Sequence, residues 1–154
     1  MNDVTYRRAK NSDSDAIKQI LKTTFKEYEI NLPDGYSFAD VENIEEQYLN
    51  RNGEFIVLVK EQRIIGFFAL LPSGNNQIEL KRLYLTVRER GKGFGKYMLT
   101  MALKLAKESG YSRLFLVTTS KFVEAVALYR KFGFTKHVGA KIAQGHDTGL
   151  LLRL

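Results

Sequence analysis

The chemistry most legible in this sequence lies in the stretch Arg88-Glu89-Arg90-Gly91-Lys92-Gly93-Phe94-Gly95-Lys96. Its glycines let backbone N–H groups come close to a ligand, and cationic side chains surround them. A phosphate-like anion suits both. An apolar run precedes this loop and an amphipathic stretch follows it, so the loop opens a helix whose free amides and positive end extend the same cradle. Spacing separates the kinds of phosphate loop. The nucleoside-triphosphate pattern G-x-x-x-x-G-K-[ST] is excluded, because Tyr97 follows Gly95-Lys96 and Arg90 stands where its first glycine should be. The dinucleotide pattern G-x-G-x-x-G is excluded because Lys96 and Met98 occupy the positions of its last glycine. What remains is [RQ]-x-x-G-x-[GA], present in overlapping registers as Arg88, Gly91, Gly93 and as Arg90, Gly93, Gly95.

That pattern resembles motif A of the GNAT superfamily of N-acetyltransferases. The likeness extends upstream through Glu79 to Leu85 and downstream through Ala125 to Phe134, roughly the C-terminal half of the chain. It implies acetyl-CoA as co-substrate, its pyrophosphate held by Arg88, Arg90, Gly91, Lys92, Gly93, Phe94, Gly95 and Lys96. The backbone of Leu85 and Val87 would pair with the pantetheine arm. It also implies direct transfer of the acetyl group to a primary amine of a small molecule or peptide. Such a reaction needs a neutral amine, a polarised carbonyl and a proton for the departing thiolate. The resemblance gives the first task to Glu79, as base or as the residue that positions a water, and the last to Tyr129, in the segment Ala125-x-x-Leu128-Tyr129-x-x-x-Gly133-Phe134. Taken alone, Glu79 is an outward polar residue on an alternating strand and Tyr129 a core tyrosine beside Leu128 and Phe132. One position departs from the family: Phe122 stands where an asparagine usually contacts the cofactor, so that contact is either absent or replaced by Ser120. A non-catalytic sensor or interaction domain that binds CoA or acyl-CoA is the rival reading.

Composition narrows the classes further. A chain of 154 residues with 44% hydrophobic content is expected to form a single domain, residues 1–154, around one core. It has no cysteine, hence no disulfide, thiolate nucleophile or cysteine metal site, which leaves direct transfer or a hydroxyl nucleophile. No run is long enough to span a membrane and the N-terminus lacks a signal-peptide pattern, so a soluble, cytoplasmic protein is expected. The net charge of +7 is local: Lys81, Arg82, Arg88, Arg90, Lys92, Lys96, Lys104 and Lys107 crowd the central element. Because these cations surround glycines rather than alternating with exposed aromatics, they argue against nucleic acid. From Glu27 to Glu46 acids occur with no lysine or arginine between them, a segment that would favour a cationic acceptor. His137 and His146 show no metal or triad spacing and read as ordinary surface or strand residues. The sequence leaves a homodimer open.

The elements that must position these residues follow from hydrophobic period. Strands are expected at Val4–Arg8, at Phe55–Val59 and Ile64–Leu70 as a hairpin, at Ile78–Val87, Leu114–Val117, Phe134–Val138 and Gly149–Leu154. Helices are expected over Ile17–Tyr28, loosely over Asp40–Leu49, from Phe94 to a stop at Gly110, and over Lys121–Lys131. The order predicts a three-layer α/β fold with a mixed sheet, and the resemblance implies that it is of GNAT type with about seven strands. In the central strand, apolar residues sit at even positions (Ile78, Leu80) and then at odd ones (Leu83, Leu85, Val87). A strand that changes parity without breaking carries an extra residue, so a β-bulge is predicted near Lys81-Arg82, splaying the strand from its neighbour.

Overall fold

The computed structural model describes residues 3–142 and 145–154. Strands β1 (Val4–Arg8), β2 (Glu54–Lys60), β3 (Arg63–Gly74), β4 (Gln77–Leu85), β5 (Arg113–Thr118), β6 (Thr135–Lys136) and β7 (Thr148–Arg153) form one seven-stranded sheet in the order β1-β2-β3-β4-β5-β7-β6. All neighbours are antiparallel except β4 and β5.

Strands β2 and β3 are apolar on both faces, which is why they sit inside the sheet with a helical layer on each side. On one face Phe55, Val57, Phe67 and Ala69 meet helix α1 (Ser14–Glu27) through Ile17 and Leu21, and the short helices α2 (Ala39–Glu42) and α3 (Ile44–Gln47) through Val41 and Ile44. On the other face Leu58, Phe68, Leu70, Ile78 and Leu80 meet helix α4 (Phe94–Glu108) through Met98, Leu99 and Ala102, and helix α5 (Val123–Lys131) through Tyr129.

Several expected elements differ in extent: β3 runs on past Leu70 to Gly74, α5 starts at Val123, and three others change more. The helix placed over Asp40–Leu49 is interrupted at Asn43, whose backbone leaves the helical region (φ −135°, ψ 75°) and whose side chain caps α3 by accepting from the Glu46 N–H. Strand Phe134–Val138 shrinks to Thr135–Lys136, since β6 is an outer strand with only β7 to pair with and Val138 is 91% exposed. The central strand ends at Leu85 rather than Val87: Val87 opens a 3₁₀ turn, Val87–Glu89, and is 52% exposed, so it is not the last inward residue of the strand.

The parity change does produce the bulge. In the β3–β4 ladder Ala69 faces Arg82 and Leu70 faces Leu80, so Lys81 is the unmatched residue. Beyond it Leu83 and Leu85 keep to the α4 side while Tyr84 joins the α1 side.

Candidate active site

The bulge opens a gap. Strand β4 pairs with β5 only at Gln77–Arg113, Ile78–Leu114 and Glu79–Phe115. Past Glu79, β4 stays with β3 as far as Leu85 while β5 stays with β7 as far as Thr118, so the two halves of the sheet part. Strand β4 leads from this gap into the glycine-rich loop, and a cleft of about 1280 Å³ lies beside it, floored by Glu79, Lys81 and Arg82 of β4 and Phe115 and Val117 of β5.

The loop has the backbone of an anion cradle. Gly91 and Gly93 take positive φ (73° and 90°), a region open to glycine at little cost, and nothing lies within 4 Å of the position a Cβ on Gly91 would occupy. Gly93 is the N-cap of α4 and Phe94, 4% exposed, roots the first turn in the core. Among the described residues the N–H groups from Gly91 to Lys96 have no protein acceptor, and the first intrahelical bond runs from Tyr97 N to Gly93 O at 3.0 Å. These free donors at a helix N-terminus fit a pyrophosphate, and the gap between β4 and β5 fits an extended arm with amide groups of its own.

The cationic side chains divide. Arg88 and Lys96 are exposed and in no ion pair among the described residues, whereas Lys92 lies 3.1 Å from Glu89. Arg90 is turned inward. Its Nη1 meets Glu27 Oε2 at 2.6 Å, its Nε donates to the Leu85 carbonyl at 3.2 Å, and its guanidinium lies 5.5 Å from the Tyr28 ring centroid. Arg90 therefore fastens the loop to the end of α1. The Tyr28 hydroxyl in turn donates to Glu124 of α5 at 2.8 Å, so the end of α1 bridges the elements that follow β4 and β5.

Glu79 is half-buried, its side chain 22% exposed, with Lys81 Nζ 3.8 Å away. Tyr129 is 5% exposed and its ring packs on Phe134 with centroids 5.6 Å apart. Its hydroxyl has no hydrogen-bond partner among the described residues; since no fully buried side-chain N or O there lacks one, the oxygen reaches accessible space. Burial, then the charge of nearby Tyr84 on β4, push that hydroxyl's pKa up, so it keeps its proton through the neutral range.

Phe122 joins an aromatic cluster with Phe25 of α1, Tyr28 at that helix's C-cap and Tyr84 of β4, at centroid distances from 5.0 to 6.3 Å. Ser120 is held by Asp147, its N–H and hydroxyl donating at 2.8 and 2.7 Å. The acidic segment brings one carboxylate to the cleft, and that one is paired. Glu27 pairs with Arg90, Glu42 lies 3.6 Å from Lys18, and Asp40, the one member lining the cleft, is bound by Arg82. His137 and His146, by contrast, both line the cleft from the connection between β6 and β7, a placement that sequence reasoning missed. Their only local signal was the absence of a pairing pattern.

Arg82, the residue after the bulge, donates to Asp40 at 2.8 and 3.2 Å, and Tyr48 donates to the same carboxylate at 2.5 Å. Burial alone would raise the Asp40 carboxyl, but the Arg82 hydrogen bonds and charge, with Tyr48, hold it below its ordinary value. A depressed folded-state pKa means stability that is in place above the ordinary carboxylate value of 3.8 and lost as pH falls through the lower folded value. Asp40→Asn is therefore expected to cost about 2 kcal/mol at neutral pH in chemical denaturation. It should also flatten the fall in stability below about pH 4.

The sheet order, the bulged and splayed β4 and the glycine loop at the start of α4 define an acetyltransferase fold of GNAT type. The profile of the acetyltransferase (GNAT) family matches residues 16–134, and the chain belongs to that family. It is 35% identical over 103 residues to N-acetyltransferase family 8 member 2 of Rattus norvegicus, covering 64% of this chain and 46% of that protein. To the uncharacterized N-acetyltransferase YjgM of Escherichia coli (strain K12) it is 31% identical over 133 residues, 83% of this chain and 80% of that one. The chain thus spans about half of the first relative and most of the second. In three dimensions it is similar to a GNAT-family acetyltransferase of Staphylococcus aureus Mu50, with a TM-score of 0.89, 22% identity and 97% and 98% of the two chains covered. PaiA N-acetyltransferase of Thermoplasma acidophilum, solved in complex with coenzyme A, aligns with a TM-score of 0.71 at 21% identity over 98% of this chain and 99% of that one. No helix among the described residues is long and apolar enough to cross a membrane.

Proposed function

We propose that the protein transfers the acetyl group of acetyl-CoA directly to a primary amine. The observation that carries this is the single gap between β4 and β5, which leads from the free amides of Gly91 to Lys96 to the cleft holding Glu79. A ligand with a pyrophosphate at one end and a thioester at the other matches that layout, and a protein of the same fold was solved with coenzyme A bound. Acetyl-CoA supplies the acetyl group already activated as a thioester.

The residues then divide the work. Loop amides from Gly91 to Lys96 hold the pyrophosphate, with Arg88, Lys92 and Lys96 adding charge. Arg90 acts one step back, holding the loop against α1 through Glu27. Backbone groups at Leu85 and Val87 align the arm, beside the carbonyls of these two residues that already accept from Arg90 Nε and N. Glu79 accepts a proton from the entering ammonium, directly or through a water, so that a neutral nitrogen meets the thioester carbon. As the C–N bond forms and the C–S bond breaks, the Tyr129 hydroxyl gives its proton to the sulfur. The second proton of the nitrogen restores Tyr129, and the first leaves Glu79 to solvent, so one proton is released per turnover.

Two measurements test this. Calorimetry should give a saturable heat with acetyl-CoA, and a panel of amines should give release of free thiol that depends on both substrates. Binding without thiol release from any amine would favour a CoA-binding sensor, and no heat from a folded protein would remove the reading altogether.

A further inference from the structure

The cleft beside the bulge, about 1280 Å³, receives both the thioester end of acetyl-CoA and the acceptor. Its charges are placed unevenly. Of the two carboxylates that line it, Asp40 is occupied by Arg82 and Tyr48. The other, Glu79, stands 3.8 Å from Lys81 with side chains 22% and 43% exposed, a loose pair of opposite charges open to the cleft. The remaining titratable groups among the described lining residues are Tyr36, Lys141, His137 and His146. Burial first, then Arg82 and Lys81, push His146 below the ordinary imidazole value, against the pull of Asp147. The cation that faces Glu79 is thus Lys81.

On the acetyl-transfer reading above, we infer that the acceptor is an amine carrying a carboxylate close to its nitrogen, an α-amino acid or a near relative, with the ammonium on Glu79 and the carboxylate on Lys81. The span of 3.8 Å between these groups is of the order of the distance from the amino nitrogen to the carboxylate oxygens within one α-amino acid. One such zwitterion satisfies both charges at once, replacing a loose ion pair by two closer ones. A plain alkyl amine takes Glu79 and leaves Lys81 without its partner; a polyamine brings a second cation against Lys81. Phe115, on the floor next to Glu79, offers an apolar surface to the acceptor's side chain.

Matched substrates separate the charge from everything else. L-Phenylalanine is assayed beside L-phenylalaninamide and 2-phenylethylamine, and L-leucine beside L-leucinamide and 3-methylbutylamine, each with acetyl-CoA and thiol detection. The acid is expected to exceed its amide and its decarboxylated amine in kcat/KM by about tenfold. Lys81→Met should bring that ratio close to one, chiefly through KM of the acid, and Lys81→Arg should restore most of it. Equal or higher kcat/KM for the uncharged amines, or a ratio that Lys81→Met leaves intact, overturns the acceptor class while acetyl transfer stands. No thiol release with any of the compounds, from a protein that binds acetyl-CoA in calorimetry, overturns both.

Discussion

Tyr129→Phe should lower kcat for acetyl transfer by about 10²-fold while the affinity for acetyl-CoA stays within about twofold. The substitution removes one oxygen. Its ring stays against Phe134, and because the hydroxyl has no partner among the described residues, no buried group is orphaned and folding stability should change little. What is lost, on the proposed mechanism, is the proton donor for the departing thiolate. Burial pushes the Tyr129 hydroxyl up, which keeps the proton on the oxygen. The same dry surroundings raise the proton affinity of a thiolate formed there, so transfer from phenol to sulfur is not opposed by the full shift. The variant would be followed by steady-state thiol release, calorimetry with acetyl-CoA and thermal unfolding. Unaltered kcat with unaltered binding would hand the acid role to water and leave Tyr129 a packing residue.

How well the chain announces this arrangement depends on the range of each interaction. The bulge was legible because it is written locally: apolar residues change from even to odd positions between Leu80 and Leu83, and a pleated strand can absorb that only by adding a residue, which is Lys81. The loop was legible because glycine spacing constrains backbone directly, and Gly91 and Gly93 do take positive φ. The direction of Arg90 was not. Its partner Glu27 lies 63 residues earlier in sequence, and no local pattern says which of several cations in a basic loop turns inward. The same holds for Asp40 and Arg82, 42 residues apart. Read along the chain, Asp40 belonged to an acidic run suited to a cation; in the fold that run is divided among partners from α1, β4 and the loop. Nor could Phe122 be read as a member of the α1-side aromatic cluster, because its neighbours Phe25 and Tyr84 come from other elements. The site's scaffold is thus a local property of β4 and its loop, while the lining of its cleft is a property of tertiary assembly.

Gly93→Ala should weaken acetyl-CoA binding by about 10²-fold at a cost in stability of only about 1–2 kcal/mol. Gly93 sits at φ 90°, ψ 1° as the N-cap of α4, a conformation that a Cβ strains. Its carbonyl is fixed because it accepts from Tyr97 N at 3.0 Å, and the following residue is fixed because Phe94 is buried in the core. Relief of strain must therefore come from the N-terminal side, by rotating the Lys92–Gly93 peptide and with it the Gly93 N–H, one of the donors proposed to hold the pyrophosphate. Misdirecting that one charge-assisted hydrogen bond, worth ~1.5–3 kcal/mol, accounts for the loss in affinity. Gly110→Ala supplies the comparison. Gly110 also has positive φ (87°), lies just past the other end of α4 and has open space around its missing Cβ, so the same strain arises away from the loop. Its variant should lose similar stability yet bind acetyl-CoA as the parent does. Calorimetry and denaturation on the two variants separate backbone strain from ligand recognition. A folded Gly93→Ala protein that binds as tightly as Gly110→Ala would mean that the loop amides do not hold the cofactor.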